Sequence, residues 1–460
     1  MVERTRHIVR CVGLFGLIVL AALLMHHRVS VTDSDARCYI EGAYSLHAGT
    51  GYRDLTGERL NHWPPGYSWL LSLFPHPLQA ALAINYLSLG VAVSCIYLLT
   101  QRAGWHYLAS SGVALALGFG FFRSIATNAK PDMLTYGLFL VGAQCLAGAS
   151  GRLRTLGACI WSTLIPLKLI AVVFAPATLL VDWLVLRGRP HSFRSVHCGI
   201  ILGIWLVALT AVVGFNYYTI KVIVPASHGA GSLSSFPSEI IRFLKFSARG
   251  FLANWYGSIE TIAVWLPFSL TLITGVVSLI TLRPYVEGRR YAYLGLAVLG
   301  LSWVLELIRW FYADLRLMGY GLLILLLAYR PRVGAEKAWL TYACATILLA
   351  VANVLTTNSL GVNDPRYARL AADVLAAHPP RDPIFSNSYH ILDIHERLPS
   401  IPVESLEAVP PGAIFLKVDL PNYDAIQRTV WRIAEPPREW TTMARWQNAT
   451  LYAKPAERLK

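Results

Sequence analysis

The feature that most constrains the fold is a series of long apolar segments that recurs from the N-terminus to about residue 357. Apolar segments of about 18 or more residues are long enough to cross the hydrocarbon core of a bilayer as helices. The chain has 460 residues, of which 55% are hydrophobic and only 14% are charged, and its mean hydropathy is +0.48. Soluble globular proteins of this size carry more charge. The pattern therefore predicts an α-helical polytopic membrane protein.

Short basic segments separate the apolar ones and predict how they are oriented. If the N-terminus is cytoplasmic, every inside loop is short and basic, as the positive-inside rule requires. This holds only if the interrupted apolar segment Thr155–Leu186 is a hairpin of two short helices with Lys168 at its tip, and not one long kinked helix. The first segment lacks a small-residue cleavage site and is expected to remain as a helix. We predict about eleven transmembrane helices in the cytoplasmic membrane, with the C-terminus extracytoplasmic.

The loop after the first apolar segment, residues 26–77, is the most polar stretch of the predicted membrane domain. Its candidate functional residues are the acidic and aromatic side chains Asp33, Asp35, Glu41, Tyr44 and His62. Acidic groups held beside hydrocarbon cost free energy, so a cluster of them indicates a functional site. The predicted topology places this loop on the extracytoplasmic face.

Three further polar elements fall on the same face in this topology. They are the turn at residues 128–132, which ends in Asp132, the hairpin tip at Lys168, and a late turn flanked by Arg309 and Arg316. Cations can hold a phosphate and stabilise a leaving group, while a carboxylate can take the proton from an acceptor hydroxyl. Nucleotide sugars are absent from that face, so a lipid-linked phosphate is the expected activated donor.

Each of these residues also has a structural interpretation that the sequence leaves open. Asp33 and Asp35 could cap a helix that starts near residue 36, and Asp132 could be a first-turn acid at a helix N-terminus. Lys168 could extend to lipid head groups, and Arg309 and Arg316 could pair with Asp314 or with lipid phosphate.

Other ligand classes receive less support. The net charge of +14 is spread over short loops without a recognition module, which argues against nucleic-acid binding. The seven cysteines show no paired spacing, so neither disulfides nor a thiolate metal site is expected. The acidic loop together with Asp132 could bind a divalent metal, although the spacing does not require one. No cofactor is therefore assigned.

The tail, residues 358–460, differs in composition from the membrane domain of residues 1–357. It is rich in proline and charge and contains no apolar segment long enough to span a bilayer. Residues 366–378 and 423–434 have helical spacing of apolar residues, whereas residues 383–389, 412–418 and 449–454 are typical of short strands. The tail is therefore predicted to be a small soluble α/β domain on the extracytoplasmic face.

Several of these stretches, in this order, resemble one known superfamily. DSDARCYIEGAYSLHAGTGY and HWPPGYSWLLSLF are similar to its first loop, and ATNAKPDMLTYGLFL is similar to its second acidic motif. LIPLKLIAVVFAPATLL resembles its hairpin with a basic tip, and ADLRLMGYGLLILLL resembles a late arginine-containing helix, with Met318-Gly319 where proline is common. The chain thus resembles, over about residues 8–335, the GT-C glycosyltransferases that use polyprenyl-phosphate sugars, which include protein mannosyltransferases and lipid A aminoarabinose transferases.

The resemblance implies a function and roles for the candidate residues. A sugar would pass from a polyprenyl-phosphate carrier to a glycan, lipid or protein acceptor of the envelope. Asp33 or Asp35 would activate the acceptor hydroxyl, with a slight preference for Asp35, and Asp132 would support the acceptor or the base. The remaining candidates would bind the donor phosphate or the substrates. The phosphate-binding residues would be Lys168, Arg309 and Arg316, and the substrate-binding residues would be Glu41, Tyr44 and His62.

Two other functions remain as alternatives. A transporter or flippase of a lipid-linked sugar would carry charges near the middle of its spans and show inverted repeats, whereas most charges here lie at span ends and no repeat is visible. A non-catalytic membrane scaffold whose tail binds a partner predicts that alanine at Asp33 or Asp35 changes nothing.

Overall fold

The computed structural model describes most of the chain. The described residues are 2–25, 34–60, 64–147, 151–185, 191–220, 262–285, 288–310, 315–356, 365–378, 383–388, 392, 396–419, 433–447 and 449–456. They form a bundle of apolar helices followed by a small mixed sheet.

The helices of the bundle follow the apolar segments of the sequence closely. They are α1 (Val2–Leu24), α2 (Ser34–His47), α3 (Gly66–Ser72), α4 (Pro77–Arg102), α5 (Tyr107–Leu117), α6 (Arg123–Ala126), α7 (Asp132–Leu146), α8 (Gly151–Ser162), α9 (Phe174–Val185), α10 (His191–Ile220), α11 (Ile262–Ile280), α12 (Arg289–Trp310), α13 (Leu315–Leu326) and α14 (Glu336–Thr356). A π-helical turn, Gly118–Phe122, joins α5 to α6. Proline occupies the first position of α4, where its missing amide hydrogen costs nothing.

Three of the described helices are long and apolar enough to cross a membrane: Thr5–Leu24, Pro77–Arg102 and Cys198–Phe215. Four shorter apolar segments accompany them at Tyr107–Phe122, Asp132–Leu146, Leu169–Asp182 and Leu266–Ile280. Many side chains of α1 and α10 are exposed and apolar, as expected for helices that face lipid. The count of eleven spans stays a prediction.

The interrupted segment after α7 is a hairpin of two short helices, as predicted, and not one kinked helix. Between α8 and α9 the backbone at Lys168 is extended, and a 3-10 turn, Leu169–Val173, leads into α9. Trp161 of α8 stacks on Phe139 of α7 with ring centroids 4.5 Å apart, and its indole Nε1 donates to the Phe139 carbonyl at 2.8 Å. The hairpin is therefore fixed against α7.

A buried aromatic cluster joins α7, the hairpin and α13. Tyr320 of α13 stacks on Tyr136 with centroids 4.0 Å apart and packs at 5.0 Å against both Phe139 and Phe174. Gly319 is required beside it, because a Cβ at this position would collide with the Tyr136 hydroxyl. Glycine at residue 319 thus serves close packing.

Two short strands that the sequence analysis treated as loops pair at one end of the bundle. Strand β1 (Leu282–Pro284) follows α11, and β2 (Tyr329–Pro331) follows α13, and the two are antiparallel. The topology puts this sheet at the opposite end of the bundle from the N-termini of α4 and α7 and from Lys168. We call the end that carries Lys168 the site end.

The tail contains a helix and a five-stranded mixed sheet. The elements are α15 (Pro365–Ala377), β3 (Ile384–Ser386), β4 (Ser400–Pro402), β5 (Ile414–Val418), β6 (Thr441–Trp446) and β7 (Ala449–Ala453). The strand order is β4-β3-β5-β7-β6, with β3 parallel to β4 and β5 and with β7 antiparallel to β5 and β6. Helix α15 and strands β3, β5 and β7 lie where the sequence pattern predicts them, β4 and β6 were missed, and most of the predicted helix at 423–434 lies outside the described residues.

Candidate active site

The first polar loop contributes a helix whose register follows directly from its sequence. Ala36, Ile40, Ala43 and Tyr44 recur at helical spacing and are buried, so one face of α2 packs on the bundle. Asp35 lies in the first turn, where the helix dipole favours a carboxylate. The packing of that face therefore determines where Asp35 is held at the site end.

Asp35 forms an ion pair with a lysine that is distant in sequence. Lys130 Nζ lies 2.9 Å from Asp35 Oδ2, and the lysine side chain is only 5% exposed while the aspartate side chain is 33% exposed. A buried ammonium needs a nearby anion or acceptors to offset its lost hydration. Lys130 lies in the predicted polar turn at residues 128–132, but the sequence pattern indicated no role for it.

Hydrogen bonds from α4 fix the turn that carries Lys130. The fully buried Asn85 donates its amide Nδ2 to the carbonyls of Asn128 at 2.5 Å and Lys130 at 3.1 Å. A polar amide inside an apolar helix is costly unless it is hydrogen-bonded, so Asn85 locks this turn in place. A single asparagine within the long apolar segment of α4 was the sequence signal for this contact, and it was missed.

Asp132 and Lys168 form a second ion pair beside the first. Asp132 is the first residue of α7, and its Oδ1 accepts a hydrogen bond from Lys168 Nζ at the tip of the α8–α9 hairpin. Asp132 does begin a helix, as its structural interpretation predicted. Lys168 contacts the Asp132 carboxylate. The pair joins the second acidic motif to the hairpin.

The first loop also contacts the hairpin tip directly. The Gly66 amide donates to the Pro166 carbonyl at 3.0 Å, and a Cβ on Gly66 would lie 2.5 Å from that oxygen. Only glycine permits this approach. The Pro-Pro-Gly exit of the loop and the Pro-Leu-Lys tip of the hairpin are therefore packed together, which fixes Lys168 relative to the loop.

Two further candidates on α2 are covered by other side chains. Glu41 is fully buried and forms an ion pair with Arg37 one turn earlier. Tyr44 lies beneath the guanidinium of Arg397, whose carbon is 4.4 Å from the ring centroid. Burial raises the pKa of Tyr44 although the neighbouring guanidinium opposes this shift. The assignment of both residues to substrate binding stays a prediction.

The contact at Tyr44 shows that the tail domain packs on the first loop. Arg397 precedes β4 and also donates Nη2 to the Pro75 carbonyl at 2.9 Å. Its φ of 56° lies in the left-handed region, which costs free energy for a residue with a side chain. One arginine of the tail thus bridges α2 and the turn before α4.

The buried surroundings of α2 also suppress its thiol and phenol groups. Burial, followed by the nearby Glu41 charge, raises the pKa of Cys38 from 9.0 to about 12. Burial likewise raises the pKa of Tyr39, with Tyr52, Asp132 and Asp35 adding to the shift. Both groups therefore remain protonated at neutral pH, as a thiol and a phenol.

Asp33 and His62 lie outside the described residues. Arg309 lies in the last turn of α12 and Arg316 in the first turn of α13, so the backbone brings both to the site end. The structure therefore joins Asp35, Asp132 and Lys168, adds Lys130, and puts two arginines at the same end of the bundle.

The described residues do not fit a metal site. Within them, no group of three histidine, cysteine, aspartate or glutamate side chains converges. Asp35 and Asp132 are each engaged by a lysine ammonium, which occupies the position that a cation would take. The chemistry of this donor set is that of ion pairs, and it suits the binding of an anion that competes for the lysines.

Comparisons with solved structures identify the fold, whereas no family model and no curated protein matches the chain. The chain is similar to ArnT from Cupriavidus metallidurans in the apo state, with 16% identity over 98% of each chain and a TM-score of 0.53. It is similar to the same ArnT bound to undecaprenyl phosphate, with 15% identity over 98% of each chain and a TM-score of 0.52. A third likeness is to arabinofuranosyltransferase AftD from Mycobacteria, with 13% identity, a TM-score of 0.46, and coverage of 96% of this chain and 40% of AftD.

These findings define the class of the protein. It is a multi-pass membrane protein of mostly helical structure. The likeness to ArnT over nearly the full chain shows that the protein shares the ArnT fold, so the resemblance stated from sequence is supported at the level of the fold.

Proposed function

We propose that the protein is a membrane glycosyltransferase that moves a sugar from a polyprenyl-phosphate carrier to an envelope glycan, lipid or protein acceptor. The observation that carries the proposal is the pair of adjacent aspartate–lysine ion pairs at the site end, Asp35 with Lys130 and Asp132 with Lys168. The fold supports it, because ArnT with the same fold has been seen with undecaprenyl phosphate bound. The reaction would take place on the extracytoplasmic face of the cytoplasmic membrane, with the N-terminus inside.

The two ion pairs supply the groups that this reaction needs. The acceptor hydroxyl oxygen attacks the anomeric carbon of the sugar, the bond from that carbon to the phosphate oxygen breaks, and the polyprenyl phosphate leaves. The hydroxyl proton passes to a carboxylate, for which we assign Asp35 or Asp33 and prefer Asp35. Asp132 supports the acceptor or the base.

The lysines would exchange partners when the donor binds. Lys130 and Lys168 are oriented by aspartates in the structure, and a donor phosphate that enters between them would draw both ammonium groups toward its oxygens. The charge that develops on the leaving phosphate would then be stabilised where it appears. Arg309 and Arg316 arrive at the same end of the bundle and would complete this cationic pocket.

The test is sugar transfer in membranes that contain a radiolabelled polyprenyl-phosphate sugar pool. Wild type is compared with Asp35→Asn, Asp33→Asn and Lys130→Met at matched expression. The control is Asp54→Asn, because Asp54 lies in the same loop and its carboxylate accepts hydrogen bonds from the Thr56 hydroxyl and the Glu58 amide of that loop. We expect label to move from lipid to acceptor in wild type and the control, and to stay on intact lipid in Lys130→Met and in at least one of the two aspartate variants.

Other outcomes would point elsewhere. If both aspartate variants transfer normally, the assignment of the base is wrong. If wild type leaves the label on lipid but changes the leaflet that holds it, the protein is a flippase. If wild type does neither, the glycosyltransferase proposal fails.

A further inference from the structure

A second basic cluster lies on the two-stranded sheet at the opposite end of the bundle from the site. Arg283 of β1 stands directly opposite Arg330 of β2 in the antiparallel register. The Arg332 amide donates to the Thr281 carbonyl at 3.0 Å, which extends the pairing by one residue. Because side chains alternate along a strand, Arg332 lies on the same face as Arg330. We call the surface formed by Arg283, Arg330 and Arg332 the arginine face.

The three guanidinium groups have no acidic partner within the described part of the chain. All three side chains are exposed, and none of them takes part in an ion pair there. Arg330 lies 5.6 Å above the Tyr285 ring, which is a weak contact for a cation. Like charges directly opposite each other destabilise an antiparallel pair. Repulsion between the opposed guanidinium groups therefore lowers the stability of the strand pair, and an anion bound across the strands would relieve it.

The sheet is nevertheless held firmly, and buried tryptophans hold it. Trp105 donates its indole Nε1 to the Tyr329 carbonyl at 2.7 Å, and Trp339 donates to Thr281 Oγ1 at 3.3 Å. The two indole rings are 5.0 Å apart and buried. Tyr285 adds a hydroxyl bond to the Leu327 carbonyl at 3.0 Å. The arginine face is thus a rigid platform and not a flexible basic loop.

The position of the sheet along the bundle indicates the kind of anion. Strand β1 begins two residues after α11 ends at Ile280. The apolar side chain of Ile280 is 68% exposed, as expected for a side chain at a lipid-facing surface. The turn after β2 carries Val333, an apolar side chain that is fully exposed beside Arg332. Arginines at the boundary of the hydrocarbon, next to an exposed valine, lie at the level of lipid phosphates.

We propose that the arginine face binds the phosphate of an anionic phospholipid head group at the membrane surface opposite the candidate active site. Paired guanidinium groups suit this ligand because their planar donors engage phosphate oxygens two at a time. Neither the glycosyltransferase activity nor the GT-C fold is needed for this inference. It differs from a diffuse positive charge because it assigns binding to directly opposed side chains on one sheet.

The experiment measures lipid retention by the purified full-length protein. The protein is reconstituted in nanodiscs of equimolar phosphatidylglycerol and phosphatidylcholine, and the lipids that stay bound after transfer to detergent are identified by native mass spectrometry. The variant is Arg283→Gln with Arg330→Gln. The matched control is Arg289→Gln with Lys337→Gln, which removes the same charge from two exposed residues at the same end but outside the sheet.

We expect the sheet variant to lose its preference for phosphatidylglycerol about tenfold or more, because each basic residue near the surface contributes substantially to anionic lipid binding. The control should keep the preference. Replacing both arginines by lysine should give an intermediate loss, since the charge remains but the two-pronged geometry does not. Hydrogen exchange of residues 281–285 and 328–332 should slow when phosphatidylglycerol is added to wild type, which checks that the sheet itself is the binding surface.

Three outcomes would overturn the proposal. If the variant and the control lose the same amount of phosphatidylglycerol preference, lipid binding depends only on the overall charge of this end of the bundle. If the folded sheet variant retains as much phosphatidylglycerol as wild type, the sheet is not the lipid-binding surface. Displacement of the lipid by inorganic phosphate at comparable concentration would show that the face recognises a soluble anion instead.

Discussion

The two ends of this membrane bundle use basic residues in opposite ways. At the site end, Lys130 is buried and each of Lys130 and Lys168 points at an aspartate. At the other end, Arg283, Arg330 and Arg332 are exposed, share one face and have no carboxylate beside them in the described part of the chain. Burial explains the difference, because a cation removed from water needs a counter-charge whereas one at head-group level does not.

The two ends of the bundle are therefore suited to two different kinds of anion. Cations that are balanced by carboxylates stay neutral as a group until a charged substrate competes for them, which suits a ligand that arrives and leaves. Cations that repel each other on a rigid strand pair favour an anion at all times, which suits a lipid that remains bound.

The largest effect is expected from breaking the Asp35–Lys130 pair. Asp35→Asn should lower sugar transfer by about a hundredfold to ten-thousandfold if the carboxylate is the base. It should also cost about 1 to 3 kcal/mol of stability, below the cost for a fully buried pair because Asp35 is 33% exposed. Asp35→Asn with Lys130→Met should recover stability without recovering activity, as thermal unfolding and transfer assays would measure. A double variant as unstable as the sum of the single ones would mean that the two side chains are not coupled.

The second effect concerns Cys38, which tests how closed the site end is. Burial raises the pKa of this thiol from 9.0 to about 12, so the thiolate population at neutral pH should be about a thousandfold below that of the free group. Alkylation of Cys38, followed by peptide mass spectrometry, should be slow at neutral pH and still rise about tenfold per pH unit above pH 9. The denatured protein is the control. A rate that levels off near pH 9 would show that α2 is hydrated.

A third and smaller effect is expected where the tail contacts the first loop. Arg397→Asn keeps a residue that tolerates the left-handed backbone but removes the guanidinium from Tyr44 and Pro75. The lost cation–π contact and hydrogen bond should weaken docking by about 1 to 3 kcal/mol. Hydrogen exchange across Ser34–His47 should then increase, and transfer should fall several-fold.

Arg397→Lys serves as the matched variant for this contact. It keeps the positive charge over the ring but not the planar donor to the Pro75 carbonyl, so it should lie between wild type and Arg397→Asn. Exchange at residues 34–47 that is identical in all three proteins would mean that the tail does not stabilise α2.

The sequence predicted those features that depend on local pattern or on charge counting along the chain. The hairpin around Lys168 followed from the sidedness of the arginine loops, and α15, β3, β5 and β7 followed from periodicity. What it missed depends on contacts between distant segments. Lys130 and Asp35 are 95 residues apart, and Arg397 and Pro75 are 322 residues apart. The sheet of β1 and β2 was missed because each strand has three residues and includes proline, so only the packing of the helices brings them together.

The smallest effect should have the opposite sign to the first. In zwitterionic detergent, Arg283→Gln with Arg330→Gln removes a like-charge pair and should stabilise the protein by about 0.5 kcal/mol. Added phosphatidylglycerol should stabilise wild type but not this variant, so the order of their unfolding temperatures should reverse. Loss of the Asp35 carboxylate destabilises the site end because Lys130 is left without its counter-charge. Loss of arginine charge at this end stabilises the protein because no counter-charge is present there until an anionic lipid binds. If the variant is less stable than wild type in zwitterionic detergent, the two ends do not differ in the way proposed.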